Sequence, residues 1–151
     1  MTGFEFGKSS REKLKTMHLD LQKIFGLAIR MTKVDFGISE GHRPPKRQLQ
    51  LFEKGLTKID GISKKGKHNY IPSLAGDIYI YHPDPKTRKD LIYDRQHLCY
   101  VAGVIDAAAE ILLEKGEISH RIRWGGNWDS DGVLDYDQEF DDLPHFELIK
   151  A

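Results

Sequence analysis

Gly66-Lys-His-Asn-Tyr-Ile-Pro-Ser-Leu-Ala-Gly-Asp77 runs directly into Ile78-Tyr-Ile-Tyr-His82, and the reading of this stretch decides how the rest is arranged. Ala75 to His82 is apolar and rich in isoleucine and tyrosine, so it is predicted as a strand. Pro72-Ser73 is a turn signal just before it. The turn would set His68 and Asp77 together at the entrance of the strand. A neutral imidazole and a carboxylate are two of the three protein ligands that a catalytic zinc usually takes. The third must come from elsewhere, and Asp142-Leu-Pro-His145-Phe-Glu-Leu148 offers a candidate. A polar turn carrying an unrelated histidine is the alternative, because a His-to-Asp spacing has little specificity alone.

Outward from this stretch, the hydrophobic pattern predicts two long helices. One is capped by Ser9 or Ser10 and runs to about Arg30, with Leu14, Met17, Leu21, Ile24, Phe25, Ala28 and Ile29 on one face. His18 reads as a surface residue there. The other runs from Asp94 to about Lys115 and is ended by Gly116; Cys99 falls within it as a small buried hydrophobe. A short helix is expected from Pro44-Pro45 to about Lys54, with Leu49, Leu51 and Phe52 partly buried. Val34 to Ile38 and Ile118 to Trp124 alternate as strands. His120 would lie on the apolar face of the second, as a core histidine with a hydrogen-bond partner. Residues 55–67 read as a loop, and the stretch after His82 as a turn-rich connection. Strands and helices are not in regular βαβ order, so the fold class is α+β: a single domain with two long helices and a small, mainly antiparallel sheet.

Length and composition bound the function. The 151 residues suit one domain with a real core. The 23 basic residues equal the 23 acidic ones, which argues against a nucleic-acid or anionic-membrane partner. Locally, Lys54 to Lys67 is basic and suits an acidic substrate, a solvated loop being the alternative. One cysteine excludes an internal disulfide. The N-terminus lacks the pattern of a secretory signal, and no stretch reads as long and apolar enough to cross a membrane.

The candidate chemistry is hydrolytic. His68, Asp77 and His145 would leave a zinc with an open fourth position for water, whose pKa the ion lowers to about 7. A peptidase also needs a base. Asp142 is the candidate, with Asp141 its competitor, and Pro144 suggests a turn that converges Asp142 and His145. Glu147 shares the strand face of His145 and could hydrogen-bond to it. Arg43 sits where a strand ends and a helix begins, a place suited to gripping a substrate carboxylate, with a surface arginine as the alternative. Asn127, Asp129, Asp131 and Asp135 stand at the first, third, fifth and ninth places of a calcium-type loop. Its glutamate, Glu139, comes one place late, so a solvated acidic turn is the alternative.

Four groups of residues, in order, carry a family resemblance: Gly41-His-Arg43 with Gln48; His68 through Ala75-Gly-Asp77; Arg123-Trp-Gly-Gly-Asn-Trp128; and Asp142-Leu-Pro-His145-Phe-Glu147-Leu148. The chain resembles phage endolysins of the zinc-dependent L-alanyl-D-glutamate peptidase type, in the VanY-like D-Ala-D-Ala carboxypeptidase group with its Hedgehog/DD-peptidase-like fold. It departs from the pattern at Gly66 and Ser73, which stand for serine and glycine, and in two extra residues between His68 and Asp77. The resemblance implies zinc on His68, Asp77 and His145, with Asp142 as base. It also implies Arg43 at the substrate or oxyanion, Gln48 and Trp128 in substrate binding, and calcium as a further option in the acidic loop. The implied reaction is hydrolysis of the L-Ala-D-Glu bond of peptidoglycan stem peptides. The implied setting is a monomer made in the host cytoplasm and released to the wall by a holin, with no separate wall-binding domain. D-Ala-D-Ala carboxypeptidase activity, or a non-catalytic zinc-stabilised binding domain, are the alternatives on the same fold.

Overall fold

The computed structural model describes residues 3–134 and 142–151. Its helices are α1 (Lys8–Leu14), α2 (Leu19–Met31), α3 (Pro45–Glu53), α4 (Pro85–Leu91) and α5 (Arg95–Glu114). Its strands are β1 (Phe36–Glu40), β2 (Ala75–Ile80), β3 (His120–Gly125) and β4 (Asp142–Lys150), and a single 3₁₀ turn covers Lys67–Asn69. The strands form one sheet in the order β1-β2-β4-β3, every neighbouring pair antiparallel. The α+β expectation holds.

The sheet buries one face under α2 and α5. Leu21, Ile24, Phe25 and Ala28 of α2 and Leu98, Val101, Ile105 and Ala108 of α5 meet Ile38, Ile78, Ile80, Phe146 and Leu148 from the strands. Phe25 packs edge-on against Phe146, ring centroids 6.0 Å apart. Gly76 makes this approach possible: a Cβ there would lie 2.8 Å from the Met17 side chain and 2.9 Å from the Phe25 ring. α5 is held at its start by Asp94, whose carboxylate accepts the His97 N–H, and ends before Gly116 at φ +70°. By length and composition α5 does pass as a membrane span, against the expectation from sequence. Its apolar face is instead part of the core, as for the central helix of many folded domains.

Two other expectations change. The first long helix is broken in two. Thr16 and Met17 leave the helix to pair with Ser73: the Ser73 N–H donates to the Thr16 carbonyl, and the His18 N–H to the Ser73 carbonyl, both at 2.9 Å. α2 then restarts with His18 as its cap, Nδ1 accepting the Asp20 N–H at 3.0 Å. The turn-rich connection after His82 contains α4, started by Asp84 accepting the Thr87 N–H and by Pro85 in the first turn. In α3 the buried residue is Gln48, while Phe52 is exposed.

Phe25 is fully buried at the junction of α2, β2 and β4. Phe25→Ala is expected to lower unfolding free energy by about 3–5 kcal/mol in urea titrations. A loss under about 1 kcal/mol would mean that the sheet does not depend on this contact.

Candidate active site and metal centre

The inner strands β2 and β4 set the centre of the site, because their register places Asp77 directly opposite His145. His68 arrives from the 3₁₀ turn. Its carbonyl accepts the Arg43 N–H at 2.7 Å, and the Leu74 N–H closes back onto the Lys67 carbonyl at 3.0 Å. The longer spacing between His68 and Asp77 is accommodated outside this closure: Ile71 is 84% exposed.

The three side chains converge. His68 Nε2 lies 3.1 Å and His145 Nδ1 3.0 Å from the same oxygen, Asp77 Oδ1. Their ligand atoms all fall within 4.8 Å of one another. Each ring is held from behind. His68 Nδ1 donates to the Gly41 carbonyl at 2.7 Å, and His145 Nε2 donates to Glu147 Oε1 at 3.0 Å. These bonds turn Nε2 of His68 and Nδ1 of His145 toward Asp77, the usual support for metal-binding imidazoles. Burial alone would raise the Asp77 pKa, but hydrogen bonds from His145 and His68 hold it well below the usual carboxylate range. Burial likewise opposes charge on His145, yet Asp77 and Glu147 push its pKa up to about 9. Metal binding at such a site would displace a proton from His145, since an imidazole coordinates through a free nitrogen lone pair. Two imidazoles and one carboxylate, each fixed by a further partner, fit zinc in composition and open-sided arrangement.

Asp142 enters the same cleft through an irregularity in β4. Trp124 of β3 pairs with Phe146, but the next residue, Gly125, pairs with Asp142. The intervening residues of β4 bulge, and Trp124 Nε1 donates to the Leu143 carbonyl at 2.7 Å to hold them. The convergence expected from a turn at Pro144 is therefore achieved by a bulge. A Cβ on residue 125 would collide with the Asp142 carbonyl, so glycine is needed opposite it. Burial and the nearby negative charge of Asp77 raise the Asp142 pKa, and His145, His68 and Arg43 temper the rise. A raised carboxyl pKa brings the group closer to the range in which a side chain can exchange protons with a reactant.

The cleft has a volume of about 750 Å³ and includes Arg43, Gln48, Trp128, Asp142, His145 and Lys64 in its walls. Arg43 lies between β1 and α3 as expected, but its guanidinium is committed within the protein. Nε and one terminal nitrogen donate to the two Glu40 oxygens at 2.7 and 2.5 Å, and the other terminal nitrogen donates to Gln48 Oε1 at 3.0 Å. It stands 3.8 Å from Asp77 Oδ2. The two-pronged grip expected for a substrate carboxylate is taken by Glu40. Gln48 is buried, and its amide donates to the Ile59 carbonyl and to Thr57, so it braces Arg43 instead of offering a free amide. Trp128 tilts against His145 with centroids 5.3 Å apart.

Sequence reasoning missed Glu40, Asn69 and the role of Arg123. Asn69 donates to the Arg43 carbonyl, and Arg123 pairs with Glu147 at 2.8 Å behind His145. The three-residue spacing of Glu40 and Arg43 was the available signal for the first. Of the calcium candidates, Asp135 and Glu139 lie outside the described residues, as does Asp141, the competing base. Asn127, Asp129 and Asp131 accept backbone N–H groups of their own turn, at Gly132, Asp131 and Val133 respectively. His42 hydrogen-bonds to the Tyr70 carbonyl and lies apart from the metal cluster.

With this geometry in view, the profile of the phage L-alanyl-D-glutamate peptidases matches residues 2–149. The chain belongs to that family. It is 27% identical to the L-alanyl-D-glutamate peptidase of Escherichia phage T5, over 97% of this chain and 98% of that protein. It is 32% identical to the peptidoglycan L-alanyl-D-glutamate endopeptidase CwlK of Bacillus subtilis, over 77% of this chain and 62% of that protein. The crystal structure of the Serratia marcescens L-Ala D-Glu endopeptidase ChiX shares the fold, with a TM-score of 0.68 over 96% of this chain and 90% of that one at 24% identity.

Glu147 is the brace whose removal isolates the role of ring orientation. Glu147→Gln is expected to weaken zinc binding by roughly 10- to 100-fold in chelator competition. An affinity within twofold of the parent would show that His145 needs no carboxylate behind it.

Proposed function

We propose that this chain is a phage lysis enzyme that hydrolyses the L-Ala-D-Glu bond of peptidoglycan stem peptides. In this reading His68, Asp77 and His145 hold zinc, and Asp142 is the proton-transferring group. The observation that carries the proposal is the convergence of two braced imidazoles, a shared carboxylate oxygen and a second, separately placed carboxyl in one cleft. Family membership supports the bond that is cut.

Zinc bound there would supply Lewis-acid polarisation and an acidified water. The protein supplies the rest. Asp142 takes a proton from the attacking water and returns it to the departing amine, a role favoured by the upward direction of its pKa shift. Hydrogen bonds from both imidazoles hold the Asp77 pKa well below the usual carboxylate range, so it is an anionic ligand ready for a cation that would take the place of those bonds. Arg43, locked by Glu40 and Gln48, presents fixed positive charge beside Asp77 and does not have to be ordered when substrate arrives. Arg47, Lys64 and Lys65 line the outer cleft and suit the carboxylates of a stem peptide, which D-Glu supplies. Trp128 forms an apolar wall beside His145.

The test is mass spectrometry of purified peptidoglycan after digestion. Stem fragments with a new D-Glu amino terminus are expected; released D-alanine with intact L-Ala-D-Glu bonds would instead assign the D-Ala-D-Ala carboxypeptidase reaction. Asp142→Ala is expected to lower kcat by about 10²- to 10⁴-fold while bound zinc is retained. His68→Ala is expected to lose both zinc and activity. Undiminished lysis by Asp142→Ala would support a binding domain that acts without this catalysis.

A further inference from the structure

A second pair of imidazoles flanks a carboxylate outside the cleft. His18 caps α2, Asp20 lies in its first turn, and His120 opens β3. We propose that His18, Asp20 and His120 form a second divalent-metal site, suited to zinc or a similar borderline cation, that clamps α2 to β3. It rests on geometry separate from the active site, since none of the three residues lines the cleft.

The active site provides an internal standard. Among the described residues, two groups of His, Cys, Asp or Glu bring their ligand atoms within 4.8 Å of one another: His68-Asp77-His145 and His18-Asp20-His120. The imidazole centroids stand 5.1 Å apart at 66° in the first group and 4.9 Å apart at 75° in the second. The donor set is the same, two nitrogens and one carboxylate, which favours zinc-like ions over magnesium or calcium. Zinc bonds of about 2.0–2.2 Å in a tetrahedron put donor atoms roughly 3.3 Å apart. His120 Nδ1 lies 2.7 Å from Asp20 Oδ2 and His18 Nδ1 lies 3.9 Å from the other oxygen, Oδ1, so small side-chain rotations would bring one oxygen and both nitrogens to that spacing.

The hydrogen bonds also prepare the donors. His18 Nδ1 accepts the Asp20 N–H, so the ring hydrogen is on Nε2; a metal taken at Nδ1 would replace this cap bond, 3.9 Å from Asp20 Oδ1. His120 Nδ1 donates to Asp20, and moving its hydrogen to Nε2 frees Nδ1 without changing the ring's charge. Asp20 is fixed independently, because Oδ2 also accepts the Ser119 and His120 N–H groups at 3.0 and 3.2 Å. Its side chain is 9% exposed, whereas those of His18 and His120 are 31% and 30% exposed. The carboxylate is thus sheltered, while the imidazole side remains open to water that would complete the ion's coordination. Metal here would cross-link residues 100 positions apart. It would also steady the backbone bond from His18 to Ser73, at the base of the active-site loop.

The experiment is titration of the chelator-stripped full chain with Zn²⁺ alone, followed by calorimetry. The parent is expected to take up two equivalents. His18→Gln and His120→Gln are each expected to weaken one of the two by at least about tenfold and leave the other unchanged. His68→Ala is expected to keep one equivalent, and His68→Ala combined with His120→Gln none. Circular dichroism identifies any variant that fails to fold; if one of the two glutamine variants does, the other decides. A single equivalent in the parent, or two undiminished equivalents in a folded glutamine variant, would overturn the proposal. Because the second site is read in the His68→Ala background, its failure is distinct from failure of the catalytic reading.

Discussion

The contact between Asp77 and His145 is where fold and chemistry become the same constraint. The two residues are direct partners across the inner strands of the sheet, so the pairing that closes the core also closes the site. A shift of one residue in β4 would turn His145 into the core and Phe146 out of it. The hydrophobic contact between Phe25 and Phe146 resists such a shift from below, and the Glu147–Arg123 pair resists it from above. The apolar layer thus fixes the position of a polar triad without touching it.

A second principle is that the groups at the centre of the cleft are held by partners within the protein. Glu40 and Gln48 hold Arg43, Glu147 holds His145, and the Gly41 carbonyl holds His68. Each bond removes rotational freedom that a binding event would otherwise have to remove. Asp142 is the exception in kind: burial and the charge of Asp77 raise its pKa from the ordinary carboxylate range. Three side chains of the cluster are thus held together by hydrogen bonds, while the fourth, Asp142, stands apart with a raised pKa.

Much of this could be read from sequence, and the failures have definite causes. β2 and α5 followed from alternation and helical period, and the ordered motif residues named His68, Asp77 and His145, which the structure brings together. The break between α1 and α2 did not, because the apolar period continues through Met17, and only the distant Ser73 shows why the backbone leaves the helix there. The bulge in β4 was visible only as an awkward Pro144; its geometry is set by Gly125 and Trp124 on another strand. Arg43 was placed correctly, but its pairing with Glu40, a carboxylate three residues away that takes the same donors as a bound carboxylate would, was not foreseen. His18 and His120 illustrate the same limit. Each is unremarkable in its own segment, and only tertiary structure brings them to one carboxylate.

The loop between His68 and Asp77 is closed at its base, by Leu74 to Lys67 on one side and Ser73 to Thr16 and His18 on the other. What lies beyond the closure, around Ile71, projects into solvent. The spacing of His68 and Asp77 is consequently insulated from the number of residues in the projection. Evolution can lengthen or shorten this segment, and an engineer can graft a recognition peptide onto it, without changing the distance between the two side chains that flank it.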